Sequence, residues 1–593
     1  MIGPRLEWHL PEPLLDPPAF AGFGRPISTL LARRGFGDDA QLTAFLNAGS
    51  EALHDTSLMA DADVALARLE RALDHGERIA IWGDYDADGM TAVVVWSIAL
   101  RALGAEAIRH VPSRLAEGYG LSNAGLERLA AAGVTLVVTC DCGIVNVAEV
   151  EHARGVGLDV VVTDHHLPAG ALPRAVAVVD PHRPDCTYPD PDLTGAGLAY
   201  KLATALLGRR GAVTRDLAAM AAIGTVADLA PMTGESRAIV RLGLGELAET
   251  QRAGLRALLS RALESPERVT ARDLAYNVAP RINAAGRIAE AELAISLLLE
   301  EDAAAAERLA DELEAVHQQR RELTSVAVAE ARALVEGMEG TGPIALRHDA
   351  WAPGIVGLIA GRLADALERP VAVAAPAGDE LRGSVRCPVD FHAAAALEAC
   401  ASFLIKRGGH AAAGGFSVAM AGWDPFAAAF QALSRPFPLS SAEVAPAGRL
   451  AIDLVLPAAH LGWELANQIE LLAPFGPGHV EPLLAVTGLR VGDARRVGSD
   501  AQHLALRMLR GAETFDAIGF GTPADRPLPE EGSLVDLVGT LERDTFQGEP
   551  RLRLRVVDFA ASSLSPLAAR RKVAQAITLQ PVPMAAPAGA TTT

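Results

Sequence analysis

A fourfold repetition between residues 78 and 180 is the feature that most constrains the fold of this chain. Short apolar runs rich in β-branched residues alternate there with alanine-rich or polar helical stretches, and each run ends in an aspartate. The runs read RIAIWGD, VTLVVTCD, LDVVVTD and AVAVVDP. Continuous apolar strands that alternate with helices predict a parallel α/β sheet covered on both faces. Ligands bind beyond the carboxyl ends of the strands in such sheets, where all four aspartates fall.

Length and charge narrow the classes of protein. A chain of 593 residues is too long for one core and predicts about two to four domains. The formal net charge of −20 argues against a surface built for nonspecific nucleic-acid adhesion, so any polyanion site must be local. The five cysteines show neither CxxC spacing nor a disulfide framework, and no apolar stretch is long enough to span a membrane. We therefore expect a cytoplasmic protein with no membrane association.

The pattern changes several times along the chain. Residues 286–338 have apolar positions at spacings of three and four, with no Gly or Pro between residues 287 and 336, which predicts a long connecting helix. A second, smaller α/β pattern follows over residues 339–440, and alternating segments over residues 446–562 predict a small antiparallel barrel. Before these segments we predict an N-terminal arm at 1–50 and a first α/β domain at 51–285. After them we predict a disordered tail at 563–593.

Acidic residues dominate the predicted edge of the first sheet. Asp84, Asp86 and Asp88 alternate directly after an apolar run, and Gly89 lets the backbone bend closely around them. The neighbouring runs and the later segment GTVADLAP add Asp141, Asp164, His165, His166 and Asp228. A lone Asp after a strand is usually a turn or helix cap, but four coordinated occurrences favour a common site. Clustered carboxylates need compensation, and Mn²⁺ or Mg²⁺ supplies it.

The motifs GDYDADGMT, TCDCGI, TDHH and GTVADLAP resemble the ordered motifs of the DHH phosphoesterase superfamily. The fuller set adds EGYGLS, LTGAGLAYKL, APRINAAGR, RGSVR and GGHAAAGGF, and it resembles the RecJ family of single-strand-specific 5′→3′ DNA exonucleases. The resemblance runs from about residue 40 to 560. It implies a parallel-sheet DHH catalytic domain, a smaller α/β DHHA1 domain joined by the long helix, and a β-barrel OB-fold domain.

The resemblance also implies roles for the acidic residues. Its metal ligands, for two Mn²⁺ or Mg²⁺ ions, are Asp84, Asp86, Asp88, Asp141, His165 and Asp228. His166 is expected beside them, toward the scissile phosphate, so the predicted catalytic residues are Asp84, Asp86, Asp141, His165, His166 and Asp228. We expect Asp164 to orient a histidine. Two cations roughly 3.5–4 Å apart suit an in-line displacement at phosphorus, and our hypothesis is that Asp141 or Asp228 bridges them.

Three further motifs supply candidate phosphate contacts. APRINAAGR is predicted to form a loop in which Arg281 and Arg287 flank Asn283, and the second lobe adds Ser384, Arg386, Gly409 and His410. Glycines of this kind otherwise make tight turns. A single strand can pass a gap between two lobes that excludes a duplex, with Tyr119 and Tyr276 as candidate stacking residues. The predicted ligand is single-stranded DNA, and the resemblance implies a helicase and a single-stranded DNA-binding protein as partners of a monomer.

Several motifs depart from the family pattern. Ala352 stands in WAPG where the relatives usually have histidine, His317 stands where an asparagine is expected, and Gly478 precedes His479 instead of asparagine. The acidic pair after NAAGR is loosened to IAEAE. None of these changes removes a predicted metal ligand, but Ala352 puts the contact with the substrate's terminal region in doubt.

Two other functions compete with this interpretation. The first is a DHH phosphodiesterase acting on short oligoribonucleotides or cyclic dinucleotides, or hydrolysing pyrophosphate; the predicted OB domain argues against it. The second is a noncatalytic replication or repair scaffold that retains the fold. Degenerate metal ligands would be its signature, and here they are intact.

Overall fold

The computed structural model describes residues 2–567 with short gaps. The gaps are residues 15, 115–116, 339, 389, 435–448, 499–500, 511–512 and 545–549. The chain divides into two compact units, and helices and strands are numbered in chain order through both units. The larger unit comprises Asn47–Pro446 and Pro474–Val480, and the smaller comprises Met1–Leu46, Ala447–Ala473 and Glu481–Thr593. The boundary predicted near residues 440–446 and most of the predicted disordered tail lie outside the described residues.

The first sheet of the larger unit has five parallel strands in the order β3-β2-β4-β5-β6, which confirms the predicted parallel sheet. The strands are β2 (Ile79–Trp82), β3 (Ile108–His110), β4 (Leu136–Thr139), β5 (Asp159–Thr163) and β6 (Ala177–Val179). β2 and β4 are buried throughout because apolar clusters cover both faces of the sheet. The short, half-buried edge strand β3 was not evident in the apolar pattern.

The register brings the carboxyl ends of the strands to one rim. Trp82 lies opposite Thr139, and Thr163 lies opposite Val179. The chain segments that leave β2, β4, β5 and β6 therefore emerge side by side, and each carries one of the repeated aspartates. Sheet pairing alone thus gathers residues that are far apart in the sequence.

Helices pack on and beside this sheet. They are α3 (Ala62–His75), α4 (Ala87–Ala102), α5 (Asn123–Ala131), α6 (Val147–Gly155), α7 (Gly195–Arg209), α8 (Leu217–Ala227), α9 (Gly234–Glu249), α10 (Ala253–Ala262), α11 (Ala271–Asp273) and α12 (Ala279–Ile288). α4 is buried from Ala87 to Leu100, which makes it the central helix of this lobe. The APRINAAGR motif lies in α12, so the predicted loop is wrong: its alanines favour a helix that continues from the π-turn Leu274–Val278.

The predicted connecting helix is two helices, α13 (Glu292–Leu299) and α14 (Ala303–Val335). They are separated at Glu300, where the backbone becomes extended. Asp302 then caps α14, and its side chain accepts a hydrogen bond from the Ala305 backbone N–H at 2.8 Å. A local capping residue therefore ended a helix that the apolar spacing alone predicted to be continuous.

The second lobe of the larger unit holds a mixed five-stranded sheet in the order β10-β11-β9-β8-β7. Its strands are β7 (Ile344–Arg347), β8 (Val371–Ala377), β9 (Glu380–Arg386), β10 (Lys406–Gly409) and β11 (Ala413–Ala419), and its helices are α15 (Val356–Leu367), α16 (Ala393–Ala399) and α17 (Trp423–Gln431). Only β7 and β8 pair in parallel. The strands and helices predicted for this lobe fall on these elements.

The smaller unit contains a closed five-stranded barrel, because β14 pairs with both β15 and β17. Its elements are β1 (Glu7–His9), α1 (Arg25–Arg33), α2 (Asp39–Leu46), β12 (Arg449–Ala451), β13 (Leu454–Pro457), α18 (Trp463–Glu470), β14 (Leu484–Val497), β15 (His503–Arg510), β16 (Glu513–Gly519), β17 (Leu534–Asp544) and β18 (Arg551–Ala561). The N-terminal arm belongs to this unit: β1 pairs with β12, and Asp558 accepts a hydrogen bond from Trp8 Nε1 at 2.9 Å.

We predict that Gly254→Ala destabilises the larger unit. A Cβ at position 254 would lie 1.6 Å from the Leu297 carbonyl oxygen, so α10 would have to move away from α13. The free energy of unfolding should fall by about 1–3 kcal/mol in urea denaturation. Gly245→Ala in α9 is the matched control, because a Cβ there meets open space and should not destabilise the protein. Equal effects of the two substitutions would contradict the packing argument.

Candidate active site

The first acidic segment lies between β2 and α4. Asp86 is the N-cap of α4, and one of its carboxylate oxygens accepts the backbone N–H groups of Asp88 and Gly89 at 3.0 and 3.1 Å. Its second oxygen remains for a ligand. A Cβ on Gly89 would lie 2.6 Å from the Asp84 backbone nitrogen, so glycine is required where the helix start packs against Asp84.

Asp88 is held by the start of α7. Its two carboxylate oxygens accept the backbone N–H groups of Gly195 at 2.7 Å and Ala196 at 3.0 Å. Added Cβ atoms at Gly195 and Gly224 would each lie 2.5 Å from a site aspartate, namely Cβ of Asp141 and Oδ1 of Asp88. The aspartates therefore converge because small residues on α7 and α8 leave room for them.

His165 connects three of the predicted ligands. Its Nε2 lies 2.9 Å from Oδ1 of Asp141, and 3.9 Å from both Oδ2 of Asp88 and Oδ2 of Asp228. Asp141 follows β4 in the left-handed region at φ +62°, a conformation that only a few non-glycine residues adopt. Asp228 caps the C-terminus of α8 and is more exposed than the others. Four segments of chain thus contribute to one cluster.

Asp164 orients the second histidine of the pair. One of its carboxylate oxygens accepts a hydrogen bond from Nδ1 of His166 at 2.7 Å, and the other accepts the Ile144 backbone N–H at 2.9 Å. The Tyr119 hydroxyl lies 3.2 Å from the Asp141 carbonyl oxygen and 3.2 Å from Nδ1 of His166. Because Nδ1 is engaged by Asp164, only Nε2 of His166 remains for a substrate.

The ligand atoms fall into three overlapping groups in which all atoms lie within 4.8 Å of one another. The groups are Asp141 with His165 and His166, Asp88 with His165 and Asp228, and Asp84 with Asp86 and Asp141. The buried Oδ1 of Asp84 has no hydrogen-bond partner among the described residues. Carboxylates with one imidazole are the donor set that suits Mn²⁺ or Mg²⁺, so the residues present fit such an ion.

Burial and convergence raise the pKa values of four of these carboxyl groups. Burial, followed by the charge of Asp86, raises the pKa of Asp84 well above its usual range and that of Asp88 to about 7. Burial and the charge of Asp88 raise the pKa of Asp141 well above its usual range and that of Asp228 to about 8. These carboxyl groups therefore retain protons near neutral pH until a cation replaces them.

The two histidines have opposite pKa shifts. Burial, with the positive charge of His166, lowers the pKa of His165 to about 3, so its imidazole is neutral and able to bind a metal. Burial also lowers the pKa of His166, but the hydrogen bond and the charge of Asp164 outweigh it and raise the pKa to about 9. A neutral and a cationic imidazole thus stand side by side, with ring centroids 4.5 Å apart.

The second lobe brings basic and polar groups to this site. In β9, Nη1 of Arg386 donates to Oγ of Ser384 at 2.6 Å. His410, between β10 and β11, stacks on His166 with ring centroids 6.4 Å apart. Burial, followed by the charges of nearby arginines including Arg386, lowers the pKa of Arg287 to about 9. Four of the predicted substrate-binding residues therefore lie near the acidic cluster or near one another, namely Arg287, Ser384, Arg386 and His410.

The remaining predicted contacts have structural partners. Arg281 forms an ion pair with Glu314 at 2.7 Å and donates to two backbone carbonyls. Oδ1 of Asn283 accepts the Ala87 backbone N–H at 2.9 Å and so holds the start of α4. Gly409 pairs with Gly414 in the β10–β11 hairpin, where its φ of +143° favours glycine. The structure does not bring Arg281 into the acidic cluster.

Arg114 is a site residue that the sequence reasoning missed. Its guanidinium lies 4.9 Å from the centre of the Tyr85 ring, and its charge reaches both Arg287 and Arg386. It belongs to no recognised motif and precedes EGYGLS by three residues, so only proximity to that motif could have signalled it.

The residues that depart from the family pattern are partly buried or buried. Ala352 lies between the buried Trp351 and the turn that opens α15. Nδ1 of His317 in α14 lies 3.3 Å from the Pro280 carbonyl oxygen. His479 stacks on Phe475 with ring centroids 5.2 Å apart. None of the three belongs to the groups of potential metal ligands in the described chain.

Comparisons with known proteins agree with this geometry. Residues 78–225 match the model of the DHH family N-terminal domain, and residues 452–558 match that of the RecJ OB domain. The chain is 32% identical to the single-stranded-DNA-specific exonuclease RecJ of Bacillus subtilis over 540 residues, covering 90% of this chain and 68% of that protein. Crystal structures of Thermus thermophilus RecJ in complex with Mn²⁺ and with Mg²⁺ match at TM-scores of 0.79 and 0.72, with 31% and 30% identity, covering 94% of this chain and 79% and 78% of those chains.

The parallel sheet with carboxylates and paired histidines at its rim defines a phosphoesterase of the DHH class. The match to RecJ of Bacillus subtilis, with 32% identity over 90% of this chain, identifies a particular family within that class. The chain belongs to the RecJ family.

We predict that the metal-free protein loses stability as the pH rises toward 8. Asp88 and Asp228 have folded pKa values of about 7 and about 8, above the ordinary value near 4 of the unfolded chain. Between these values the folded state binds more protons than the unfolded state, so the free energy of unfolding decreases with pH. The thermal midpoint should fall by a few degrees between pH 5 and 8.

Two controls separate this effect from general alkaline instability. Asp228→Asn removes one of the titrating groups and should flatten the fall, whereas Asp185→Asn changes an exposed carboxylate outside the cluster and should not. Saturating Mn²⁺ should cancel the fall in the unchanged protein, because the cation replaces the protons. A pH profile that Mn²⁺ leaves unaltered would contradict the assignment.

Proposed function

We propose that this protein is a metal-dependent exonuclease that degrades single-stranded DNA from its 5′ end to mononucleotides, in DNA recombination and repair. The observation that carries the proposal is the meeting of the acidic cluster with basic groups of the second lobe, seen most directly in the stacking of His166 on His410. A polyanionic strand needs the basic groups to bind it and the cations to neutralise the reacting phosphate. The relatives' names supply the class of substrate.

The acidic cluster would hold two cations. We assign the ligands as Asp84, Asp86, Asp88, Asp141, His165 and Asp228. Mn²⁺ or Mg²⁺ bound there would polarise the phosphodiester and make a water molecule nucleophilic near neutral pH. Asp141 occurs in two of the three ligand groups, which supports the hypothesis that it bridges the cations.

The protein's own groups orient the reacting phosphate. Backbone N–H groups of α7 fix the Asp88 carboxylate, and Asp164 fixes the imidazole of His166. The cationic His166, with Nδ1 engaged, can donate a hydrogen bond from Nε2 to a phosphate oxygen and stabilise the negative charge that develops in the transition state. His410 stacks beside it, and burial together with the charge of His166 lowers the pKa of His410.

Three arginines, contributed by both lobes, would select the end of the strand. Arg386, aligned by Ser384, forms no ion pair with a described residue, and Arg287 and Arg114 lie close enough for their charges to interact. We assign these groups to the 5′-terminal phosphate, one nucleotide from the scissile bond. Bidentate arginine contacts suit a terminal phosphate better than a bridging one, because more of its oxygens are free.

The competing functions have less support. A phosphodiesterase specific for short oligonucleotides would not need the closed barrel of the smaller unit. A noncatalytic scaffold would not need three overlapping groups of ligand atoms, or a buried Asp84 Oδ1 that lacks a hydrogen-bond partner among the described residues.

Location and partners follow from less direct observations. None of the five cysteines forms a disulfide in the described chain, as expected in a reducing compartment, and we propose a cytoplasmic enzyme. No helix among the described residues has the length and apolar character needed to cross a membrane. A helicase and a single-stranded DNA-binding protein as partners, and the monomeric state, stay predictions.

End-labelled substrates test the main proposal. With Mn²⁺ or Mg²⁺, we expect labelled mononucleotide to appear first from 5′-labelled single strands, with 3′-labelled strands shortening progressively and matched duplexes resisting. Asp141→Ala should abolish turnover and lower the measured Mn²⁺ stoichiometry from two to one or none, whereas Asp185→Ala should change neither. Unchanged metal binding and turnover in Asp141→Ala would refute the assignment of the site.

We further predict that Phe520 in the barrel unit contributes to strand binding. Its ring is 53% exposed and is packed edge-on against His503 at 5.2 Å, an arrangement that leaves a face open for a base. Base stacking contributes about 1–3 kcal/mol, so Phe520→Ala should weaken the binding of long single strands about tenfold. Leu564→Ala, which truncates another exposed apolar residue of this unit, should leave the dissociation constant unchanged.

A further inference from the structure

Arginines without acidic partners extend beyond the proposed site for the terminal phosphate. In the described part of the larger unit, several arginines form no ion pair, and five of these lie close enough for their charges to interact in a connected group: Arg114, Arg287, Arg320, Arg362 and Arg386. The chain has 73 acidic and only 53 basic residues, so a connected group of arginines is not a consequence of a general excess of basic residues. A group of unpaired arginines in such a chain indicates an anion that binds there.

The inner part of this group lies along α15. The stem of Arg386 runs beside two glycines of the helix: a Cβ on Gly361 would lie 3.9 Å from its Cγ, and a Cβ on Gly357 would lie 3.1 Å from its Nη2. The Gly354 carbonyl oxygen accepts from Nη1 of Arg287 at 3.4 Å. Arg362 follows Gly361 directly on this helix and is exposed.

Arg320, on α14, is close enough for its charge to interact with those of Arg287 and Arg362. The charges that reach it are those of Arg362, Arg321 and Arg281, all positive, and its own charge reaches Arg287. Its Nε is buried and has no hydrogen-bond acceptor among the described residues. An unsatisfied guanidinium among like charges is unfavourable unless a ligand supplies the acceptor.

The neighbouring histidine does not supply that acceptor. Nη2 of Arg320 lies 3.4 Å from Nδ1 of His317, which is also 3.3 Å from the Pro280 carbonyl oxygen. A carbonyl oxygen can only accept, so Nδ1 carries a proton when it bonds to Pro280 and cannot then accept from Arg320. In that tautomer the contact with His317 gives Arg320 no acceptor, and Nε has none among the described residues in either tautomer.

We propose that Arg320 and Arg362 form a second anion subsite that takes the additional phosphates of a strand with a 5′-polyphosphate end. The inference rests on the proposed function, because it places the α-phosphate at Arg386 and Arg287. The β- and γ-phosphates would then extend along α15 toward the exposed Arg362. The same chemistry would also fit the phosphate of a released mononucleotide, and the experiment separates the two sources.

Binding without metal tests the subsite directly. Fluorescence anisotropy would compare one oligonucleotide sequence carrying a 5′-triphosphate, a 5′-monophosphate or a 5′-hydroxyl. We expect the unchanged protein to bind the triphosphate strand about tenfold more tightly than the monophosphate strand, as charge-assisted contacts of this kind provide. The double variant Arg320→Gln and Arg362→Gln should lose that advantage and bind the monophosphate strand as before.

Arg332→Gln is the matched control, because it removes one positive charge from an exposed position of the same helix and should preserve the tenfold difference. Equal affinity of the unchanged protein for the two phosphorylated strands would overturn the inference. The inference would also be overturned if the double variant kept the tenfold difference between the strands and changed only the inhibition of strand binding by free thymidine 5′-monophosphate. That result would assign the subsite to the released product. Degradation of the monophosphate strand with Mn²⁺ checks the proposed function separately, and its absence would refute that function instead.

Discussion

Mutual repulsion among buried carboxylates is the constraint on which the rest of the larger unit depends. Asp84, Asp88 and Asp141 are almost completely buried, and burial raises the pKa of all three carboxyl groups. The charge of Asp86 raises the pKa of Asp84 and Asp88 further, and the charge of Asp88 does so for Asp141. A chain that only needed stability would not place them together, because burying like charges is unfavourable. The parallel sheet and the buried helix α4 provide a rigid frame in which this unfavourable arrangement persists until cations bind.

The backbone does much of the work of holding these side chains. Asp86 is fixed by the N–H groups it caps, Asp88 by the first N–H groups of α7, and Asp164 by those of the loop after β4. N–H groups stabilise the ionised form without bringing a competing cation. The carboxyl groups are thus preorganised for a metal, and a cation that binds there has to displace protons instead of an arginine or lysine partner.

Much of the fold and the acidic cluster could be predicted because both depend on local patterns. An apolar run followed by an aspartate marks the end of a buried strand, and parallel pairing then brings those ends to one rim without further information. The substrate side was less predictable. APRINAAGR is helical instead of a loop, so Arg281 and Arg287 point to different partners, and Arg114 has no sequence signal. Which arginine meets a carboxylate and which remains unpaired depends on packing between distant helices, which spacing along the chain does not encode.

Helix α12 explains how the two charged regions are kept in register. Its Gly286 packs against the aspartate segment, where a Cβ would lie 1.8 Å from the Tyr85 carbonyl oxygen. At the next residue of the same helix, Gly354 of the second lobe packs against the backbone, and a Cβ on Gly354 would lie 1.9 Å from the Arg287 carbonyl oxygen. Backbone contacts this close tolerate little sliding, because no side chain is present to adapt. The distance between the acidic cluster and the arginines is therefore set by backbone packing. A substrate that must contact both regions has to match this fixed distance.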